Sequence, residues 1–118
     1  MTVGDAVERW FTPEFRAQHP ETIERQILRV LGNDPAGYAA AYRVFAESDS
    51  IDELHKITCP TLVMTGEHDV GSTPAMAKAI HRRIAGSRLM ILSRYRHSLL
   101  IEATADVVRE LRAFLNDS

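Results

Sequence analysis

The stretch Thr61-Leu62-Val63-Met64-Thr65-Gly66-Glu67-His68-Asp69 decides how this chain is read. An uncharged run follows Pro60, stops at Gly66, and is succeeded by an acid, an imidazole and a second acid. A continuous run of this kind, rather than an alternating one, is the pattern of a parallel strand covered on both faces. Its carboxyl end presents charged groups. The question is whether Asp69 serves chemistry or only caps the turn that follows.

Downstream, Thr73-Pro74 opens a helix in which Met76, Ile80 and Ile84 recur every four residues, and Gly86 ends it. Arg88-Leu89-Met90-Ile91-Leu92 reads as a second strand. The final helix has Val107, Val108, Leu111, Phe114 and Leu115 along one stripe. Two strands joined by a crossover helix are expected to run parallel with a right-handed connection. The loops after them then leave from the same edge of the sheet, which is where ligand sites of open α/β sheets lie. One loop carries Asp69 and the other, SRYRHSLLIE, carries His97. Neighbouring strands are about 5 Å apart, so the two side chains can meet.

Upstream the pattern is helical. Ala6, Val7, Trp10 and Phe11 share a face, and Thr12-Pro13 breaks that helix. Pro20 opens another, with Ile23, Ile27, Val30 and Leu31 on one stripe and Gly32 past its end. Asp34-Pro35 is a cap followed by a first-turn proline, after which Tyr38, Ala41, Tyr42 and Phe45 align. Ser50 and Glu53 have capping-box spacing, which predicts a further short helical turn. Residues 1–50 are thus a helical segment and residues 51–118 a strand–helix–strand–helix unit.

Composition narrows the function classes. The chain has 118 residues, enough for one domain with its own core. A net charge of -2, with no basic run longer than Arg82-Arg83, argues against a nucleic-acid surface. The single cysteine, Cys59, cannot form an internal disulfide, and no apolar stretch approaches a membrane span. The first residues hold acids and no apolar run, so no signal peptide is visible. A soluble cytoplasmic protein is expected. His55, Cys59 and His68 fit no standard ligand spacing, and Gly66, Gly71 and Gly86 form no phosphate-loop pattern. Neither a metal nor a cofactor is expected.

An Asp beside a His has a defined use. The carboxylate fixes the imidazole tautomer and stabilises the imidazolium that forms when the other ring nitrogen takes a proton. The bland alternative is a capping Asp and a solvated loop His, and the pair by itself favours that alternative.

The segments RWFTPEF (9–15), GYAAAYRVFAESD (37–49), ITCPTLVMTGEHD (57–69) and RHSLLIE (96–102) occur in this order. Together they resemble the C-terminal half of the α/β-hydrolase family, in particular 3-oxoadipate enol-lactonases and related carboxylic-ester hydrolases. The resemblance implies a partial α/β-hydrolase fold, with a helical cap at 1–50 followed by the last two strands of the core. It makes Asp69 the triad acid and His97 the triad base, with Glu102 where an acid commonly follows the histidine. It places Trp10 and Phe11 in the lining of the pocket under the cap, and gives His68 no catalytic role. The family usually has glycine just before the histidine. Here it is Arg96, a poor occupant if that position needs a positive φ.

The family's nucleophile is a serine in a Gly-x-Ser-x-Gly elbow ahead of the cap. That motif does not occur in these 118 residues, and Ser72, Ser93 and Ser98 sit on no strand-to-helix elbow. Without nucleophile and oxyanion donors the chain by itself is not expected to hydrolyse a small-molecule ester or lactone. A two-stranded sheet also leaves apolar edges that seek a partner. The expectation is therefore a homo-oligomer or association with a separate N-terminal half. The second reading is a non-enzymatic protein that keeps a ligand pocket or interaction surface without a reaction.

Overall fold

The computed structural model describes residues 2–117. Four helices come first: α1 (Val3–Trp10), α2 (Pro13–Gln18), α3 (Pro20–Leu31) and α4 (Pro35–Glu47). A 3-10 helix over Ile51–Lys56 leads to β1 (Leu62–Gly66), α5 (Pro74–Arg83), β2 (Arg88–Leu92), α6 (Leu99–Glu102) and α7 (Thr104–Asn116).

The local chemistry explains most boundaries. Thr73 accepts a hydrogen bond from the Met76 N–H at 3.2 Å and Pro74 fills the first turn of α5. Asp34 does the same for α4, accepting from the Gly37 N–H at 2.8 Å. Thr12-Pro13 has the same chemistry as Thr73-Pro74. It ends α1 and also begins α2, a helix the sequence reading leaves out, with Thr12 accepting from the Phe15 N–H at 3.2 Å. Ser50 makes no capping bond. Asp49 Oδ1 instead accepts from the Ile51 N–H at 3.3 Å, and the segment winds as a 3-10 helix. The loop after β2 contains a short helix, α6, that has no periodic apolar signal to announce it. α5 ends at Arg83, and Gly86, at φ +73°, turns the chain into β2.

β1 and β2 pair in parallel, with Leu62 opposite Arg88 and Gly66 opposite Leu92. Both therefore end at one edge. α5 packs against both strands. On the face of Met64 and Met90, a cluster forms around Leu92, Ala103 and Val107, which docks α7 through its first turn. Coverage is incomplete, contrary to the reading of a strand sealed on both faces. Val63, Thr65 and Leu92 are buried, but Leu62, Met64, Met90 and Ile91 keep partial exposure because two helices do not blanket two strands.

The helices before the sheet are barer still. Neither α3 nor α4 has a buried residue, and the stripe Tyr38, Tyr42, Phe45 on α4 lies in the open, with Phe45 73% exposed. The accessible surface is 8318 Å², whereas a compact domain of 13.2 kDa exposes about 6,400 Å². The radius of gyration is 16.0 Å against about 13.5 Å for a compact chain of this length. The excess surface is about 1,900 Å² on that scaling.

Candidate functional site

Parallel pairing brings the loops after β1 and β2 together, and hydrogen bonds fasten one to the other. The Glu67 N–H donates to the Leu92 carbonyl at 2.9 Å, and the His68 N–H to the Tyr95 carbonyl at 2.9 Å. The Glu67 carboxylate accepts the Arg94 N–H at 2.9 Å. Arg94 has φ 74°, the left-handed conformation that turns the chain out of β2, so Glu67 ties down a strained corner. Gly66 lies under this crossing. A Cβ there would stand 2.5 Å from the Tyr95 carbonyl oxygen and nearer still to that of Arg96.

Asp69 is held within this arrangement. Its Oδ1 accepts from the Gly71 N–H at 3.0 Å and the Ser72 N–H at 2.8 Å. The loop is closed by the Thr65 hydroxyl, which donates to the Ser72 carbonyl at 2.9 Å. With Oδ1 so occupied, Oδ2 meets His97 Nδ1 at 2.7 Å. The Asp69 side chain is 5% exposed and that of His97 49%. A carboxylate only accepts, so Nδ1 carries the shared proton, and in the neutral imidazole Nε2 then keeps its lone pair. This is the tautomer that can take a proton from a hydroxyl or water. Both readings of Asp69 hold at once, because one oxygen caps the turn and the other orients the imidazole.

His97 is anchored from both flanks to the corner between α1 and α2. On one side the Arg96 guanidinium donates to the carbonyl of Phe11 at 3.2 Å and to that of Glu8. On the other, the Ser98 N–H donates to the Trp10 carbonyl at 2.9 Å. Further along, Glu102 accepts the Thr12 N–H at 3.2 and 3.3 Å and the Thr12 hydroxyl. Arg96 is not among the described residues with positive φ, so arginine in the usual place of glycine costs no backbone strain here. The geometric demand for glycine falls at Gly66 instead, which the sequence reading took only as the end of a strand.

Two open cavities flank this crossing. One, of about 720 Å³, is lined by residues including Phe15, His19, Arg94, Tyr95 and Glu102; the other, of about 470 Å³, by Glu8, Glu67 and Asp69. His68 and Arg96 line both, so His68 stands at the site, paired with Glu67 at 3.3 Å. Trp10 and Phe11 line neither. Phe11 is only 1% exposed and stacks on Phe15 with 5.3 Å between ring centres, so its side chain is packed into the core. Sequence reasoning missed Glu67, Thr65 and the work of Arg96. The signal for the last was the co-occurrence of RWFTP and RHSLLIE, whose members bond to one another. Among the described residues no group of three or more metal-ligating side chains forms, and no helix is long and apolar enough to cross a membrane.

No family model matches the chain. It is 33% identical over 87 residues to 3-oxoadipate enol-lactonase 2 of Acinetobacter baylyi, which takes in 74% of this chain and 33% of that protein. It is 29% identical to an (E)-2-((N-methylformamido)methylene)succinate hydrolase of the same organism, over 98% of this chain and 44% of the relative. Among solved structures, the enol-lactonase from Burkholderia xenovorans superposes with a TM-score of 0.92 at 27% identity, covering 97% of this chain and 44% of the other. The chain thus spans less than half the length of each of these proteins. With this fold, this pair of loops and these likenesses, the chain is the C-terminal part of an α/β-hydrolase similar to the enol-lactonases.

Proposed function

We propose that the chain supplies the acid–base half of an ester- or lactone-hydrolysing site, with Asp69 as the acid and His97 as the base. The nucleophilic serine and the oxyanion donors then lie on residues outside these 118, and this sequence alone turns nothing over. Residues 1–50 act as the cap and residues 51–118 as the last part of the core. His97 Nε2 takes the proton of the nucleophile's hydroxyl as it attacks the carbonyl, and returns it to the leaving oxygen. Asp69 keeps Nδ1 protonated and stabilises the imidazolium between those steps. The observation that carries this reading is the 2.7 Å contact between Oδ2 and Nδ1, made by a carboxylate whose other oxygen two backbone amides already hold.

The open surface supports a partner chain as part of this reading. About 1,900 Å² in excess of a compact domain falls in the range that each side of an obligate interface buries. The polypeptide that completes the site is one that adds strands to the two-stranded sheet and brings a Gly-x-Ser-x-Gly elbow. Without it, the exposed strip of α4 drives self-association.

A second reading, ligand binding without turnover, is favoured by one feature. A cavity of about 420 Å³, lined mainly by apolar groups including Phe45, Leu54, Val63, Met76 and Ile80, lies between the end of α4, β1 and α5. A fluorophosphonate probe and a chromogenic ester applied to this chain separate the cases. Labelling or turnover by these residues alone contradicts the proposal, because it reveals a competent serine among them. No reaction alone, with turnover restored by a complementary half, upholds it; binding without restored turnover favours the second reading.

A further inference from the structure

His97 sits in a loop, its side chain half exposed, and packing therefore does little to fix it. Its ring is held by a hydrogen bond to Asp69 Oδ2. A single hydrogen bond orients an imidazole only if the backbone that carries it stays in place. Three attachments provide that, at the residue before His97, the residue after it, and Glu102, and all three converge on the carbonyls and amides of residues 8–12. None of them belongs to the β-sheet ladder or to a helix's own hydrogen bonds. Beside the anionic Glu102, the Arg96 link is the one made by a cation. Its guanidinium lies on carbonyls at the last turn of α1, where a cation is favoured by the helix dipole and its hydrogen bonds are charge-assisted.

We infer that Arg96 is a positioning residue: by clamping the His97 loop to the corner between α1 and α2, it holds the imidazole of His97 in register with Asp69. The inference rests on His97 being the base of the proposed site, but it concerns the geometry of the pair and not turnover. It also means that the α1–α2 corner and the histidine move together. Displacing that corner carries Trp10 O, Phe11 O and Thr12 with it, and the base leaves Asp69.

The test is nitrogen-15 NMR of the histidine rings in the intact chain at about pH 8, above the ordinary histidine value. Asp69→Asn identifies the His97 signals. The wild type is expected to show His97 protonated at Nδ1 with slowed exchange of that proton. Arg96→Met, which keeps the stem and removes the donors, should speed exchange roughly tenfold, the worth of a charge-assisted bond, and mix the two tautomers. Arg96→Lys keeps a donor at the same carbonyls and should preserve most of the wild-type signature. If Arg96→Met does not fold, Glu102→Gln, which weakens the bonds to Thr12, should show the same change in smaller measure. A folded Arg96→Met with unchanged tautomer and exchange overturns the inference, as does an Arg96→Lys that behaves like Arg96→Met. The readout needs no nucleophile, so failure of the hydrolase reading leaves this result interpretable, and the reverse also holds.

Discussion

Gly66→Ala is the smallest change that should dismantle the site from beneath. Gly66 does not lie in the left-handed region, so the substitution tests space and not backbone freedom. The new methyl would stand 2.5 Å from the Tyr95 oxygen, where ordinary contact begins near 3.4 Å, and closer still to the Arg96 oxygen. Both obstacles are backbone, so no flexible side chain can swing aside. The loop carrying residues 95–97 must retreat by about 0.9 Å or more, an overpacking displacement of the kind that costs about 1–3 kcal/mol. The retreat also stretches the bond between the His68 N–H and the Tyr95 oxygen, now 2.9 Å, and its loss adds about 1 kcal/mol. Destabilisation of about 2–4 kcal/mol is therefore expected by urea unfolding. The same retreat lengthens the 2.7 Å contact between Asp69 and His97 beyond hydrogen-bond range. The His97 Nδ1 proton should then exchange freely in nitrogen-15 spectra. A Gly66→Ala protein with wild-type stability and an intact Nδ1 signal would refute the close crossing on which the site is built.

Other consequences can be checked separately. Asp69→Asn keeps an oxygen for the Gly71 and Ser72 amides but turns a donor towards Nδ1, so the chain should stay folded while His97 switches to its Nε2-protonated tautomer. Retention of the Nδ1 proton would contradict the pairing. At the N-terminus, Asp5 is held below its ordinary value of 3.8, first by the Thr2 backbone N–H and then by the Thr2 hydroxyl. A lowered folded value means that this contribution is complete above the ordinary value and fades as pH falls through the lower one. Helical signal from α1 should accordingly drop on acidification below about pH 4 in the wild type, and that acid-dependent limb should be absent in Asp5→Asn. Finally, light scattering during size exclusion should show the isolated chain self-associating, with Phe45→Glu shifting it towards monomer; a clean wild-type monomer would count against the open apolar surface as an interface.

Much of the C-terminal unit was legible because its signals are local. Pro60 and Gly66 bracket a strand, Thr73-Pro74 caps a helix, and the crossover makes the strands parallel, which alone predicts that Asp69 and His97 share an edge. What stayed hidden depends on long-range contact. Thr12-Pro13 carries the same local signal as Thr73-Pro74, yet the six residues of α2 are too few to show a period. Phe11 read as a pocket wall because motif resemblance reports position in sequence, whereas burial against Phe15 is decided by tertiary packing. The family resemblance puts glycine at position 96, on grounds of backbone conformation. The structure needs it at position 66, on grounds of a chain crossing that only the pairing of two distant loops creates.

The central claim is that Asp69 and His97 are the acid and base of a hydrolase site completed by residues outside these 118. Its most direct measurement is hydrolysis of an enol-lactone or nitrophenyl ester after joining this chain to the N-terminal part of an enol-lactonase that carries the serine elbow. Turnover should appear in the joined protein, be absent from either part alone, and fall by about a thousandfold or more in His97→Ala. Turnover that survives His97→Ala undiminished would contradict the claim.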